Sequence, residues 1–176
     1  MEQVALRTDF YRDLGLALVK RIEASGYARM TRDGIPSAWL AKSVSQILAI
    51  TGDDPIIYVG HTLQDYDHSK VKDLSEDPAE GKIQVLTNDL LVVSEFTGQG
   101  ANTRVTPLTR INSISVGKVR DVTTKGLANW PDHVSFELEF PDATYTFPPV
   151  DATASHSEFL KLPSALRAVT AALARG

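Results

Sequence analysis

The hydrophobic residues of the first fifty positions recur at helical spacing. Within residues 3–25, apolar side chains follow one another in steps of three and four: Leu6, Phe10, Leu14, Ala17, Leu18 and Ile22. This spacing predicts an amphipathic helix that stops at Gly26. Residues 36–50 repeat the pattern behind Pro36, since proline is tolerated at a first helical position. A turn at Asp33-Gly34 joins the two segments into a predicted helical hairpin.

After Pro55 the pattern becomes that of short strands. Aliphatic and β-branched residues dominate five segments, with a weaker sixth: 56–59, 82–87, 90–97, 103–107, 110–117 and 118–124. Residues 133–140 alternate apolar and polar side chains, which predicts a strand with one buried face, and residues 143–148 follow after a turn. Asn88-Asp89 is typical of a two-residue hairpin turn.

The last segment, residues 155–174, has the apolar stripe of a helix. Ser155 and Glu158 have the spacing of a capping box, in which each side chain bonds a backbone amide of the first turn. Pro163 lies inside the stripe, so we expect it to kink the helix or to restart it.

Two helices, about seven strands and one helix, in that order, predict an α+β protein with mostly antiparallel sheets. The change of pattern after residue 52 divides the chain into a helical hairpin, residues 1–52, and a β-domain with its C-terminal helix, residues 53–176. The pattern leaves open whether the hairpin packs on its own chain or forms homo-oligomers through its helices.

Composition restricts the chemistry of the chain. Its 176 residues are 43% hydrophobic, as in ordinary globular proteins, and include no cysteine. The absence of cysteine excludes a disulfide scaffold, a thiolate zinc site, an iron–sulfur cluster and a cysteine nucleophile.

The net charge of −4 comes from one stretch, residues 61–81, which we call the acidic segment. It carries six carboxylates and two lysines, whereas the residues before and after it are balanced. The chain has no cluster of basic residues for nucleic acid and no apolar run that could span a membrane. Its first residues lack the pattern of a secretory signal, so we expect a cytoplasmic protein.

The acidic segment also holds the best candidates for chemistry. His61, Asp65, Asp67 and His68 place two imidazoles and two carboxylates within eight residues, a set that a divalent metal could bind. The alternative is a solvated acidic loop. Trp130, between predicted strands, is either tucked in as a lid or exposed as an anchor for a partner.

Enzymatic motifs are weak in comparison. The chain has no Gly-x-Ser-x-Gly elbow and no phosphate-binding Walker sequence. Glu137 and Glu139 share a strand face, but we expect that face to be the solvent side. We therefore assign no catalytic residue and no cofactor.

Three stretches resemble the pleckstrin-homology-like superfold, especially the bacterial PH-like and GRAM-type domains. Residues 81–93 look like the hairpin of that family, in which Leu-Thr ends one strand and Leu begins the next. Residues 105–114 are similar to its Pro-Leu-x-x-Ile segment. The Tyr145-x-Phe147 strand followed by residues 155–174 resembles the last strand and closing helix.

This resemblance covers residues 55–174 and implies a PH-like β-sandwich or barrel closed by the C-terminal helix. It also implies a non-enzymatic binding module without a cofactor. Lipid-binding members carry basic residues around the first hairpin loop, whereas this chain is acidic there. We therefore expect a protein or peptide ligand, such as an extended peptide at a sheet edge. The alternative is a metal-binding or hydrolytic enzyme using the set from His61 to His68.

Overall fold

The computed structural model describes residues 2–123, 131, 133–150 and 157–176, with side chains from residue 9 onward. It contains three α-helices: α1 (Glu2–Ala24), α2 (Ala38–Thr51) and α3 (Leu162–Leu173). The strands are β1 (Thr31–Arg32), β2 (Ile35–Pro36), β3 (Tyr58–His61), β4 (Glu80–Leu86), β5 (Leu90–Thr97), β6 (Gly100–Pro107), β7 (Ser113–Lys118), β8 (Ser135–Glu139) and β9 (Thr144–Phe147).

The two N-terminal helices form where the periodicity predicts them. Between them, Asp33 and Gly34 both have positive φ, 52° and 78°, the conformation of a two-residue hairpin turn. That turn pairs β1 with β2, so Pro36 ends a short strand instead of opening the helix. The prediction of a helix beginning at Pro36 is therefore wrong by two residues, because a hairpin uses those positions.

A four-stranded antiparallel sheet, in the order β3-β4-β5-β6, lies at the centre of the fold. Both of its faces are buried. One face packs against α1 and α2, with sheet residues Val59, Ile83, Val85, Val92 and Phe96 in that core. The opposite face contributes Tyr58, Leu86, Leu91 and Val93 to a second core. The helices thus cover the sheet of their own chain.

The second core is completed by a three-stranded sheet, β7-β8-β9, and by α3. On β8, Phe136 and Leu138 point inward while Glu137 and Glu139 are exposed, as the alternation predicts. The weaker strand predicted at 118–124 does not form over residues 119–123. Residue 124 lies outside the described residues.

The C-terminal helix begins later than predicted. A 3-10 turn at Phe159–Lys161 leads into α3, and Pro163 sits in the first turn, where it restarts the helix without a kink. Ser155 lies outside the described residues. The capping box therefore stays a prediction. The Glu158 carboxylate is buried and accepts hydrogen bonds from Arg21, Lys161 and the Val59 amide.

The prediction of an α+β chain with antiparallel sheets and a C-terminal helix is confirmed. The strands of the described ranges form open sheets and do not close into a barrel, so a PH-like barrel is not confirmed. None of the helices described is both long and apolar enough to cross a membrane.

Candidate functional site

A cavity of about 370 Å³ opens between the β1–β2 hairpin, the acidic segment and the turn joining β5 to β6. We call it the hairpin cavity. Its walls combine apolar and ionisable side chains: Arg32, Asp33, Ile35, Pro36, Ala38, His68, Leu74, Asp77 and Gly98. Concave sites with an apolar wall and a few convergent polar groups are the usual form of a ligand site.

The acidic segment is held in place by backbone contacts with Arg29, which lies just before β1. The Arg29 amide donates to the Tyr66 carbonyl over 2.8 Å, and the His68 amide donates to the Arg29 carbonyl over 2.8 Å. Arg32 then donates through Nη2 to the carbonyls of His68 and Val71, at 2.9 and 2.7 Å. These bonds order residues 66–71 against the hairpin, while Asp65, Asp73, Glu76 and Glu80 of the same segment remain exposed to solvent.

The turn between β5 and β6 closes the other side of the cavity. Gln99 donates through Nε2 to the Ser75 carbonyl over 2.7 Å. Gly98 lies so close to the Asp77 carbonyl that a Cβ there would overlap it. Glycine is needed at this position because the backbone of the acidic segment approaches the turn directly.

A buried polar chain lies beside the cavity. The Tyr66 hydroxyl is 2.9 Å from His68 Nδ1 and 3.0 Å from both oxygens of Asp77. The Asp77 carboxylate also accepts from the Ala79 amide over 3.0 Å. Burial, together with the neighbouring Asp77 carboxylate, raises the pKa of Tyr66 to about 12, so its hydroxyl stays protonated and donates.

The position of Tyr66 is fixed by aromatic packing. Its ring meets Trp39 edge to face at a centroid distance of 5.9 Å, and Trp39 stacks on Phe96 at 4.2 Å. Trp39 is only 1% exposed and belongs to the core between the helices and the central sheet. This aromatic packing holds the Tyr66 ring, and so positions the hydroxyl that bonds His68 and Asp77.

Two large apolar side chains project at the rim of the cavity. Ile35 is 70% exposed and Leu74 is 59% exposed. Both line the cavity, and its floor carries Arg32, His68 and Asp77. An exposed apolar pair over buried polar groups is suited to a ligand with both kinds of surface.

The four predicted metal ligands lie in different surroundings. His61 is buried against Gly26, whose added Cβ would meet the imidazole at 2.5 Å. Asp65 is exposed, and Asp67 accepts from the amide and hydroxyl of Ser69, which lower the pKa of its carboxyl. Of the four, only His68 lines the hairpin cavity. Throughout the described ranges, no group of three or more His, Asp or Glu residues is arranged to hold a metal ion.

Trp130 lies outside the described residues, so its predicted role stays a prediction. Sequence reasoning missed three residues of the site, namely Arg32, Tyr66 and Asp77. Tyr66 carried a usable signal, since it is the only aromatic residue of the acidic segment. Arg32 carried none, because its role depends on the backbone bridge between Arg29 and Asp67, which brings the acidic segment beside β1.

Each edge strand of the central sheet has one backbone group that is already bonded to a side chain. On β3, the Val59 amide donates to the carboxylate of Glu158 over 3.0 Å. On β6, Gln46 from α2 bonds the Ala101 carbonyl and the Thr103 hydroxyl, at 3.2 and 2.7 Å. A peptide adding a strand would have to displace these contacts. The hairpin cavity is the better candidate site.

Comparison of this chain with protein-family models, with curated proteins and with solved structures finds no match.

Proposed function

We propose that this protein is a non-enzymatic binding module that takes a short, extended segment of a partner protein at the hairpin cavity. A large apolar side chain of the partner would lie between Ile35 and Leu74. The observation that carries the proposal is the pairing of two exposed apolar side chains over a cavity of about 370 Å³ with a polar floor.

The walls of the cavity favour binding over catalysis. Arg32 is engaged with backbone carbonyls, and Asp77 accepts bonds from Tyr66 and Ala79. These groups are held by the fold, as in a preorganised binding surface. We keep a PH-like architecture as part of the proposal, supported by antiparallel strands followed by a C-terminal helix. A cytoplasmic setting, expected from the sequence, also stays part of the proposal.

A displayed library of random peptides, selected on the wild-type protein, tests the proposal. The affinity of an enriched peptide is then measured by fluorescence polarisation for wild type, Leu74→Ser and Ile35→Ser. Burying a large apolar side chain contributes roughly 1.5–3 kcal/mol, so each variant should bind roughly 10- to 100-fold more weakly. Leu160→Ser is the matched control, because Leu160 is 73% exposed and does not line the cavity.

Either of two results would overturn the proposal. The library could yield no enriched peptide, or the enriched peptides could bind Leu74→Ser as tightly as wild type. Both rim residues are exposed, so serine there should leave the fold intact, and a thermal melt of each variant verifies this.

The alternative function is a metal-dependent or hydrolytic enzyme. The proximity of His68 Nδ1 to Asp77 Oδ2, 3.7 Å, is the observation in its favour. Thermal melting with and without EDTA decides the metal-dependent form. A fall in Tm with the chelator would support a bound metal, and identical curves would count against it.

Self-association through the N-terminal helices is a second candidate role. On α1, Phe10 and Tyr11 are each 48% exposed and meet edge to face. If α1 pairs with a second copy, Phe10→Ser should shift sedimentation velocity profiles towards the monomer. Profiles that are monomeric for wild type at all concentrations would exclude the pairing.

A further inference from the structure

We propose that the hairpin cavity selects segments in which an asparagine or glutamine accompanies the apolar side chain, because Arg32 Nε is a hydrogen-bond donor that lacks an acceptor there. This inference rests on the function proposed above. It adds the chemical class of the partner, which the shape of the cavity alone does not specify.

The guanidinium of Arg32 is only partly bonded by the fold. Nη2 donates to the carbonyls of His68, Ser69 and Val71. Nε is buried and has no acceptor within the part of the chain that the structure describes. Nη1 donates no hydrogen bond to those residues either, but it is not buried, so a ligand can reach the guanidinium. A buried donor without an acceptor is unfavourable, and a ligand that brings an acceptor to Nε relieves this cost.

The N-terminus of α2 adds backbone donors to the same cavity. Ala38, the first residue of α2, lines the hairpin cavity together with Arg32. The first amides of a helix have no acceptor within the helix. Ser37 occupies the N-cap position but makes no capping bond, and its hydroxyl is buried without a partner among the described residues. The positive end of the helix dipole therefore also favours a ligand that brings an acceptor.

A charged group of the ligand is disfavoured in this cavity. The charged and titratable side chains that line or touch it are Arg32, Asp33, Tyr66, His68 and Asp77. A carboxylate could accept from Arg32, but Asp33 and Asp77 would repel it. Lysine and arginine bring only donors, so they would leave Nε unpaired beside a second positive charge.

An uncharged amide avoids both penalties. Its oxygen accepts from Arg32, and its NH2 group can donate to Asp33, the exposed carboxylate that follows Arg32 in the chain. Moving an amide out of water also costs less than moving an ion. Asparagine and glutamine, which carry an acceptor and two donors in one plane, therefore match a neighbouring guanidinium and carboxylate.

Variants of one enriched peptide test this selectivity. The residues flanking its large apolar side chain are replaced in turn by Gln, Asn, Glu, Lys or Met, and affinities are measured at low and high salt. At one flanking position, we expect the Gln or Asn peptide to bind about tenfold more tightly than the Met peptide. This advantage should change little with salt, because the amide carries no charge. The Glu and Lys peptides should bind no more tightly than the Met peptide.

The outcomes separate the two proposals. Peptides that need Leu74 but bind best with Glu, Lys or Met overturn the inference and leave the binding function standing. If the library yields no peptide whose binding Leu74→Ser weakens, both fail.

Proton–nitrogen NMR of the Arg32 Nε–H group observes the bond itself. Binding of the Gln peptide should move this proton resonance downfield, because the proton gains an acceptor, whereas the Met peptide should leave it in place. A resonance that the bound Gln peptide does not move overturns the inference.

Arg32→Lys keeps a positive charge and donors for the carbonyls of the acidic segment but has no Nε–H. In this variant the preference for Gln over Met should fall about fivefold, and a thermal melt verifies the fold. Arg167→Lys is the matched control, because Arg167 is exposed and does not line the cavity, and it should keep the full preference. A preference that Arg32→Lys leaves intact also overturns the inference. If this variant fails to fold, the Nε–H resonance of wild type decides.

Discussion

Arg21 on α1 holds the carboxylate of Glu158 with two hydrogen bonds, Nε to Oε1 at 2.9 Å and Nη2 to Oε2 at 3.0 Å. Glu158 is only 2% exposed, and Lys161 donates to the same carboxylate over 2.7 Å. Through Nη1, Arg21 also donates to the Ile56 carbonyl at 3.1 Å. One buried carboxylate thus links α1, strand β3 and the segment before α3.

Replacing Arg21 with methionine should destabilise the protein strongly. The change keeps most of the side-chain volume but removes the main partner of a buried charge, which costs about 3 kcal/mol when ion pairs of this kind are broken. Urea unfolding of Arg21→Met and of Arg167→Met measures the difference. Arg167 is exposed, so its variant should stay within about 0.5 kcal/mol of wild type. Equal stabilities would contradict the importance of the pair.

Glu158 should also make the protein sensitive to acid. Burial alone would raise the pKa of this carboxyl, but the hydrogen bonds from Arg21 and Lys161 outweigh it and hold the pKa below the ordinary 4.5. Because the folded pKa is depressed, this contribution to stability is complete above pH 4.5 and is lost as the pH falls through the folded pKa.

Urea unfolding of wild type and Glu158→Gln at neutral pH and at about pH 3 measures that contribution. Glutamine does not titrate, so the variant should be weaker at neutral pH and should lose less free energy of unfolding on acidification. The carboxyls of Asp67, Asp73 and Asp121, whose pKa values are also lowered, remain in both proteins and cancel in the comparison. Parallel losses in the two proteins would refute the linkage.

Much of the fold follows from periodic patterns in the sequence. The helical stripes of residues 3–25 and 36–50 predict α1 and α2 because those faces bury Ile22, Trp39 and Ile47 in one core. The alternation at 133–140 predicts β8 because Phe136 and Leu138 must both face inward. Such patterns predict helices and strands well because each pattern depends only on which face of a single element is buried.

Less of the candidate functional site could be predicted from the sequence. Glu158 has capping-box spacing, but the charge of Arg21 draws its carboxylate into a long-range pair that no local rule contains. Tyr66 and Asp77 are eleven residues apart in a segment without periodicity, and backbone bonds to Arg29 bring that segment to the cavity. Local sequence patterns do not predict contacts that form only when distant segments of the chain pack together.

Gly26 should be intolerant of alanine. A Cβ there would lie 2.5 Å from the His61 ring, and both the glycine and the imidazole are confined by neighbouring elements. We expect Gly26→Ala to cost about 1–3 kcal/mol through overpacking. Gly15→Ala is the control, because its Cβ would make an ordinary contact with Leu48 on α2 at 3.7 Å. Alanine at this position inside α1 should stabilise the helix by about 0.5–1 kcal/mol. Denaturant midpoints of the two variants should move in opposite directions.

Alkali should destabilise the protein partly through Tyr66. Its pKa is raised from 10.0 to about 12, chiefly by burial, so the neutral hydroxyl stabilises the fold below pH 10 and that stability is lost as the pH rises through about 12. Between about pH 8 and pH 11, wild type should lose more free energy of unfolding than Tyr66→Phe. Tyr58, whose pKa burial also raises, is present in both proteins. An equal loss in both would show that the Tyr66 hydroxyl is not buried as described.

The bond between Arg21 and Glu158 can form only late in synthesis of the chain. The two residues are 137 positions apart, so α1 leaves the ribosome long before its partner exists. Until residue 158 emerges, both Arg21 and the outward amide of Val59 lack the carboxylate that later binds them. A chain that stalls earlier therefore leaves that amide of the edge strand β3 open to other acceptors, whereas in the folded chain its own glutamate binds it.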